Sequence, residues 1–186
     1  MPKYSEKMRE MIGETVRSDI HRAGIELIRE QGWKAFTTEK IAEKLGMSRG
    51  VLYNYFANKE AIARSIIEAS FDELSAKLEE IASGPQSASD RLRAMAEWNV
   101  SSALNQREFL RAFMENLPPP NKPRPHMAEH HRRRDAVFAA VIADGVASGE
   151  FAEIDIPAAV LMLSGILHES CIRSLFRGET PQIDRV

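Results

Sequence analysis

Phe36-Thr-Thr-Glu-Lys-Ile-Ala-Glu-Lys-Leu-Gly-Met-Ser-Arg-Gly-Val-Leu-Tyr-Asn-Tyr-Phe-Ala-Asn-Lys-Glu60 holds two short helical patterns on either side of one glycine. Ile41, Ala42 and Leu45 form an apolar inner face, Thr37 stands where an N-cap is expected, and Gly46 allows a sharp turn. Ser48 predicts a second N-cap, and Leu52 and Phe56 close the same core. Helices this short are not stable alone, so each must pack on the other and on a neighbour. The arrangement predicts a helix-turn-helix. In such a unit the second helix enters the DNA major groove while the first crosses the backbone. Its outward residues are Arg49, Gly50, Val51, Tyr53 and Asn54. Arginine bonds guanine through two contacts, asparagine bonds adenine, and valine touches a thymine methyl. Gly50 lets the backbone approach DNA closely.

On the N-terminal side, Met8, Ile12, Val16, Ile20, Ala23 and Leu27 recur at helical spacing up to Gly32, a natural helix stop. Their stripe is expected to pack. On the C-terminal side, Asn58 predicts the cap of a long helix through Ile67, Phe71, Leu74, Leu78 and Ile81, ending before Gly84-Pro85. Ser87 with Asp90 predicts the cap of a helix through Leu92, Met95, Trp98 and Ser102, and another carries Phe109, Phe113, Met114 and Leu117. The run from Leu117 through Pro118, Pro119, Pro120, Pro123 and Pro125 predicts a stiff extended connection. A helix from about Met127 to Ala147 ends near Gly149, and Asp155 with Pro157 starts a last one running to about Phe176. No stretch alternates like a strand, so the fold class is all-α: a three-helix DNA-binding domain over residues 1–60, then a helical-bundle domain over 61–186.

The motif resembles the DNA-binding segment of the tetracycline-repressor (TetR) family, through Thr37, Ile41, Ala42, Leu45, Gly46, Ser48, Gly50, Leu52, Tyr53, Tyr55, Phe56, Lys59 and Glu60, with Met47 in place of a common valine. Gly32, Trp33 and Phe36 extend the resemblance upstream, so it covers roughly residues 14–65. It implies that Thr37 or Thr38, Ser48, Tyr55 and Lys59 grip phosphates while Arg49, Gly50, Tyr53 and Asn54 face bases. It also implies a homodimer on a palindromic double-stranded operator. An unknown small-molecule effector in the C-terminal domain then shifts the spacing of the recognition helices and relieves repression.

Composition bounds the alternatives. Among the 186 residues, 44% are hydrophobic, enough for one substantial core or two small helical ones. Residues 1–60 hold eleven Lys or Arg against nine Asp or Glu, and the remainder is acidic, so the front of the chain is the part oriented towards a polyanion. A single cysteine, Cys171, allows no internal disulfide and suits a reducing compartment. No unbroken apolar run of bilayer length and no secretory signal is visible, which predicts a cytoplasmic protein without a membrane partner. No phosphate loop, nucleophile elbow or metal helix appears, so no enzyme and no cofactor are expected. The rival is an interaction module that kept the scaffold and abandoned DNA. Repressor and activator stay open.

Val160, Leu161, Met162, Leu163, Ile166, Leu167, Ile172, Leu175 and Phe176 make the last helix apolar nearly all round. Such a helix is buried on several faces, which predicts a partner subunit with Val137, Phe138, Val141, Ile142, Val160, Leu163 and Leu167 at the interface. Trp98, Asn99, Ser102, Phe109, Phe113 and Met114 mix aromatic, thioether and polar groups, as small-molecule cavities do and as ordinary cores also do. His126, Glu129, His130 and His131 have metal-like spacing, but Arg132, Arg133 and Arg134 follow directly. A solvated cationic face is expected there, and no metal site. Arg17 and Arg22 are read as solvating a face. Lys3, Lys7 and Arg9, diluted by Glu6 and Glu10, are read as a frayed terminus and not a minor-groove arm.

Overall fold

A computed structural model describes residues 6–116 and 125–177. The described residues are helical with no strand: α1 (Glu6–Gln31), a 3-10 turn (Trp33–Ala35), α2 (Thr38–Lys44), α3 (Arg49–Tyr53), α4 (Lys59–Ala82), α5 (Ala88–Asn105), α6 (Arg107–Asn116), α7 (Pro125–Ala147) and α8 (Ile156–Arg177). They form two compact units, and the division falls between Glu68 and Ala69 inside α4 and between Leu110 and Arg111 inside α6.

The first unit is built by local chemistry. Thr37 Oγ1 accepts from the Lys40 N–H at 3.2 Å, Ser48 Oγ from Val51 N–H at 3.3 Å, and Asn58 Oδ1 from Ala61 N–H at 2.8 Å. Each cap satisfies a donor that the first helical turn leaves unpaired. Between α2 and α3 the chain turns at Gly46, whose φ of 63° is costly for any residue with a β-carbon. The Gly46 N–H donates to Glu43 O and the Met47 N–H to Ala42 O, both at 3.0 Å, which closes the helix end in a Schellman motif. Ile20, Leu27, Phe36, Ile41, Leu52, Phe56, Ile62 and Ile66 fill the core. Trp33 stacks on Phe36 with ring centroids 5.2 Å apart.

The N-terminal half of α1 departs from expectation. Burial begins at Ile20, while Met8, Met11 and Ile12 are exposed, so the apolar stripe continues past the core it serves. Lys7 and Arg9 lie within regular helix and not in a frayed end. Lys3 is outside the described residues.

In the second unit α5, α7 and α8 pack on one another and on the later turns of α4. Leu74, Leu78, Met95, Val100, Phe138, Val141, Ile142, Val160 and Leu167 form its core, with Trp98 against it. Among the described residues the indole N–H of Trp98 is buried without an acceptor. Ser87 Oγ caps α5 by accepting from Asp90 N–H, and Glu150 reaches the same helix start, accepting from the N–H groups of Ala88 and Ser89 at 2.8 and 2.9 Å. Asp155 Oδ1 caps α8 through Ala158 N–H at 2.9 Å.

α7 starts at Pro125, two residues before the expected Met127, because proline is well tolerated in a first helical turn where its missing N–H would be unpaired anyway. The predicted extended connection over 117–124 lies outside the described residues. α8 is long and apolar enough, by length and composition, to cross a membrane, with mean hydropathy 1.3. Its apolar run is not unbroken, since Ser164, Gly165, His168, Glu169 and Ser170 interrupt it. Val160, Ser164, Leu167, Ser174 and Leu175 are buried in the fold.

Candidate nucleic-acid interface

α3 buries only Leu52 and turns Arg49, Gly50, Val51 and Tyr53 outwards, with Asn54 exposed at its C-cap. A β-carbon on Gly50 would meet nothing closer than Ser48 Oγ at 3.8 Å, so the backbone here is open to close approach. Ser48 is exposed and its hydroxyl proton is free to point away from the capped amide. Thr37 is half-buried in the equivalent position on α2.

Thr38 has a different place from the one expected. Only 7% exposed, it sets its hydroxyl 3.2 Å from Glu39 Oε2 and 3.4 Å from the Tyr53 hydroxyl. Its hydroxyl is turned inside the protein. Arg49 Nη2 donates to Glu39 Oε1 at 2.6 Å, and its guanidinium lies 6.0 Å from the Tyr53 ring centroid. The bond to Tyr53 and then the Glu39 charge raise the Arg49 pKa. The Glu39 carboxyl is held below its usual range by its own backbone N–H, and then by the Arg49 charge. Thr38 first, then Arg49, lower that of the Tyr53 phenol.

Behind α3, Tyr55 is half-buried and its carbonyl accepts from Arg17 Nη1 at 3.5 Å. The Arg17 guanidinium also stands 5.2 Å from the Phe56 ring centroid, so this arginine braces the end of the recognition helix, a role beyond solvating a face. Arg22 pairs with Asp19 on the same helix. Lys59 places its ammonium 5.6 Å over the Trp33 ring. Glu39 and the bracing function of Arg17 were missed in the sequence. The only signal was an acid on α2 and a base on α3 ten residues apart, which carries meaning once the turn geometry is known.

The other predicted residues are distributed as follows. Trp98, Asn99, Ser102 and Phe109 lie in the second unit, with Asn99 and Phe109 buried. Phe113 and Met114 lie in the first unit, Phe113 buried and Met114 exposed. Phe138, Val141, Ile142, Val160 and Leu167 are buried within the protomer's own core, and Val137 and Leu163 pack partly against it. The five buried ones face the protomer's own core, while Val137 and Leu163 keep part of their surface exposed. The exposed large apolar residues of α8 are Leu161, Met162, Ile166 and Phe176, and the first three line an open groove with Gly165, Glu169, Ser170 and Arg173.

The cationic face on α7 is also corrected. Glu129, Arg132 and Arg133 are exposed, but His130 and Arg134 are buried. His130 stacks on Phe71 with centroids 4.2 Å apart, and its Nδ1 is 3.0 Å from Ser75 Oγ. Arg134 bonds Asp135, which in turn accepts from Ser164 Oγ at 2.7 Å. The His126 side chain is outside the described residues, and among those described no His, Cys, Asp and Glu cluster is placed to hold a metal ion.

Comparison with known proteins adds independent findings. Residues 20–66 match the family model of bacterial regulatory proteins, tetR family, and residues 85–172 match that of the tetracyclin repressor-like C-terminal domain. The fatty acid metabolism regulator protein of Bacillus subtilis is 25% identical over 150 residues, 80% of this chain and 77% of that protein. A transcriptional regulator of the TetR/AcrR family from Thermobifida fusca superposes with a TM-score of 0.70 at 26% identity, covering 90% of this chain and 87% of the other. FadR of Bacillus subtilis, solved in complex with stearoyl-CoA, gives 0.70 at 22% identity over 89% and 90% of the chains.

Proposed function

The chain belongs to the tetR family of bacterial regulatory proteins and is a DNA-binding transcriptional regulator, and from that premise we propose that it is a cytoplasmic repressor released from a palindromic operator by a fatty acyl thioester. The observation that carries the DNA-binding part is the outward Arg49, Gly50, Val51, Tyr53 and Asn54 face of α3, held between the Ser48 cap and the Gly46 turn. Arg49, Gly50, Tyr53 and Asn54 are proposed to face bases, and Thr37, Ser48, Tyr55 and Lys59 to hold the phosphate backbone.

The effector class is supported by the match to the Bacillus subtilis fatty acid metabolism regulator and by the structure of Bacillus subtilis FadR with stearoyl-CoA. Trp98, Asn99, Ser102 and Phe109 are the proposed contacts, all within the second unit. Two half-sites give a contact area that one helix-turn-helix lacks, so the acting species is a homodimer. Leu161, Met162 and Ile166 of α8 are its proposed apolar contact.

The test is fluorescence anisotropy at two salt concentrations with DNA from upstream of the protein's own gene, an unrelated duplex of equal length, and Arg49→Ala. The upstream DNA is expected to bind roughly a thousandfold tighter, with Arg49→Ala narrowing the gap. Stearoyl-CoA is then expected to release the complex while free CoA does not. Equal weak binding of all duplexes, across a genome-wide fragment pool, sinks the repressor reading.

A further inference from the structure

Glu39 stands in the first turn of α2 and Arg49 opens α3. Their 2.6 Å ion pair is not secured by burial, since the two side chains are 51% and 58% exposed. An isolated pair of this kind contributes little to stability. This one is part of a closed ring: Thr38 bonds Glu39 Oε2 and lies 3.4 Å from the Tyr53 hydroxyl, and the Tyr53 ring lies beside the Arg49 guanidinium. Buried Thr38 anchors the ring; exposed Arg49 and Tyr53 stand on the outward side of α3, and exposed Glu39 faces them from α2.

Resting on the assignment of α3 as the base-reading helix, we infer that Glu39 is a positioning residue that sets operator specificity through Arg49. An unpaired arginine on this surface is drawn to any phosphate by charge alone, which adds affinity without selectivity. Arg49 stays charged, but together with Glu39 it forms a pair without net charge, which gains little from the DNA backbone. The carboxylate holds the Nη2 side of the guanidinium fork and leaves donors on its other side for O6 and N7 of a guanine. Against phosphate Glu39 is repelled, whereas in the groove it has a matching donor in a cytosine amino group. The operator half-site therefore carries a G·C pair under Arg49, and the acid on α2 makes that contact selective.

The experiment uses the full chain and a duplex selected by it from a randomised DNA pool, compared with a scrambled duplex, by anisotropy across a salt series. Glu39→Gln is expected to tighten scrambled-duplex binding severalfold and to reduce the preference for the selected duplex about tenfold. It should steepen the slope of log affinity against log salt by about one, the signature of one added phosphate contact. Glu39→Asp, which keeps the charge, restores the salt slope and part of the preference. In an Arg49→Ala background, Glu39→Gln is expected to change the preference no further, because the effect runs through Arg49. The inference is overturned if Arg49→Ala abolishes the preference while Glu39→Gln leaves preference and slope as in the wild type, or if the two effects simply add. If Arg49→Ala keeps the full preference, the assignment of α3 fails and this inference fails with it.

Discussion

Gly24 lies where a β-carbon would sit 2.8 Å from Phe36 Cε2 and 3.2 Å from Ile66 Cδ1. Both neighbours are fully buried, so neither ring nor methyl has room to withdraw. Alanine improves helix propensity by about 1 kcal/mol, and overpacking costs about 1–3 kcal/mol. Gly24→Ala is therefore expected to lower the thermal midpoint measured by circular dichroism; a rise would show that the Phe36 ring yields. His130 makes the fold sensitive to acid. Burial, and then the charges of His131, Arg134 and Arg133, push its pKa down from 6.5 to about 4. The unfolded chain takes up this proton near pH 6.5 and the folded chain only near 4, so stability is fully present above 6.5 and declines as pH falls through that window. His131 and His21 are lowered in the same direction. The comparison that isolates His130 is denaturant unfolding of wild type and His130→Phe across this range. The variant should lose less stability on acidification, by a few kcal/mol in order of magnitude; parallel curves would refute it. None of this was legible in the chain, because His130 and Arg134 sit in a run of charges that looks solvated, and spacing alone does not say which of them α7 turns inwards.

At the scale of elements, α3 has five residues and relies on its cap. Ser48→Ala removes the acceptor for Val51 N–H and is expected to cost about 1 kcal/mol. Because so short a helix holds its shape only through its context, operator affinity should fall along with the melting temperature. Ser48→Asp separates the two effects. The carboxylate caps the helix and keeps the melting temperature near wild type, yet its charge opposes phosphate, so anisotropy should still show weakened binding. Restored binding in Ser48→Asp would mean that Ser48 serves only as a cap. The caps were the legible part of the fold: Thr37, Ser48, Asn58, Ser87 and Asp155 all act where the sequence places them, since a side chain reaching an amide three residues on is local chemistry. The orientation of α8 was not legible. A helix apolar nearly all round has no inner face of its own, and α5 and α7 choose which residues it buries. Val160 and Leu167 thus turned inwards while Leu161, Met162 and Ile166 stayed outside. Glu39 and Arg49 were hidden for a related reason, since their meeting depends on the angle between two helices.

For the whole molecule, the prediction concerns assembly. Leu161→Glu together with Ile166→Glu places charge on the exposed face of α8 and touches none of the buried core. Sedimentation should show a monomer with unchanged far-ultraviolet dichroism, and operator binding should fall by more than tenfold as the second half-site is lost. A dimer surviving both changes would move the contact elsewhere. The two tryptophans have a practical consequence of another kind. Trp33 belongs to the first unit, stacked on Phe36 beneath the Lys59 ammonium, and Trp98 to the second, its indole N–H buried without an acceptor among the described residues. Each unit thus carries its own built-in optical probe, and a Trp33→Phe or Trp98→Phe chain emits from one unit only. If the two single-emitter melts superimpose, the units lose structure as one cooperative body; if they separate, the chain has two melting temperatures, and a small molecule that raises only the Trp98 transition reveals which unit it occupies.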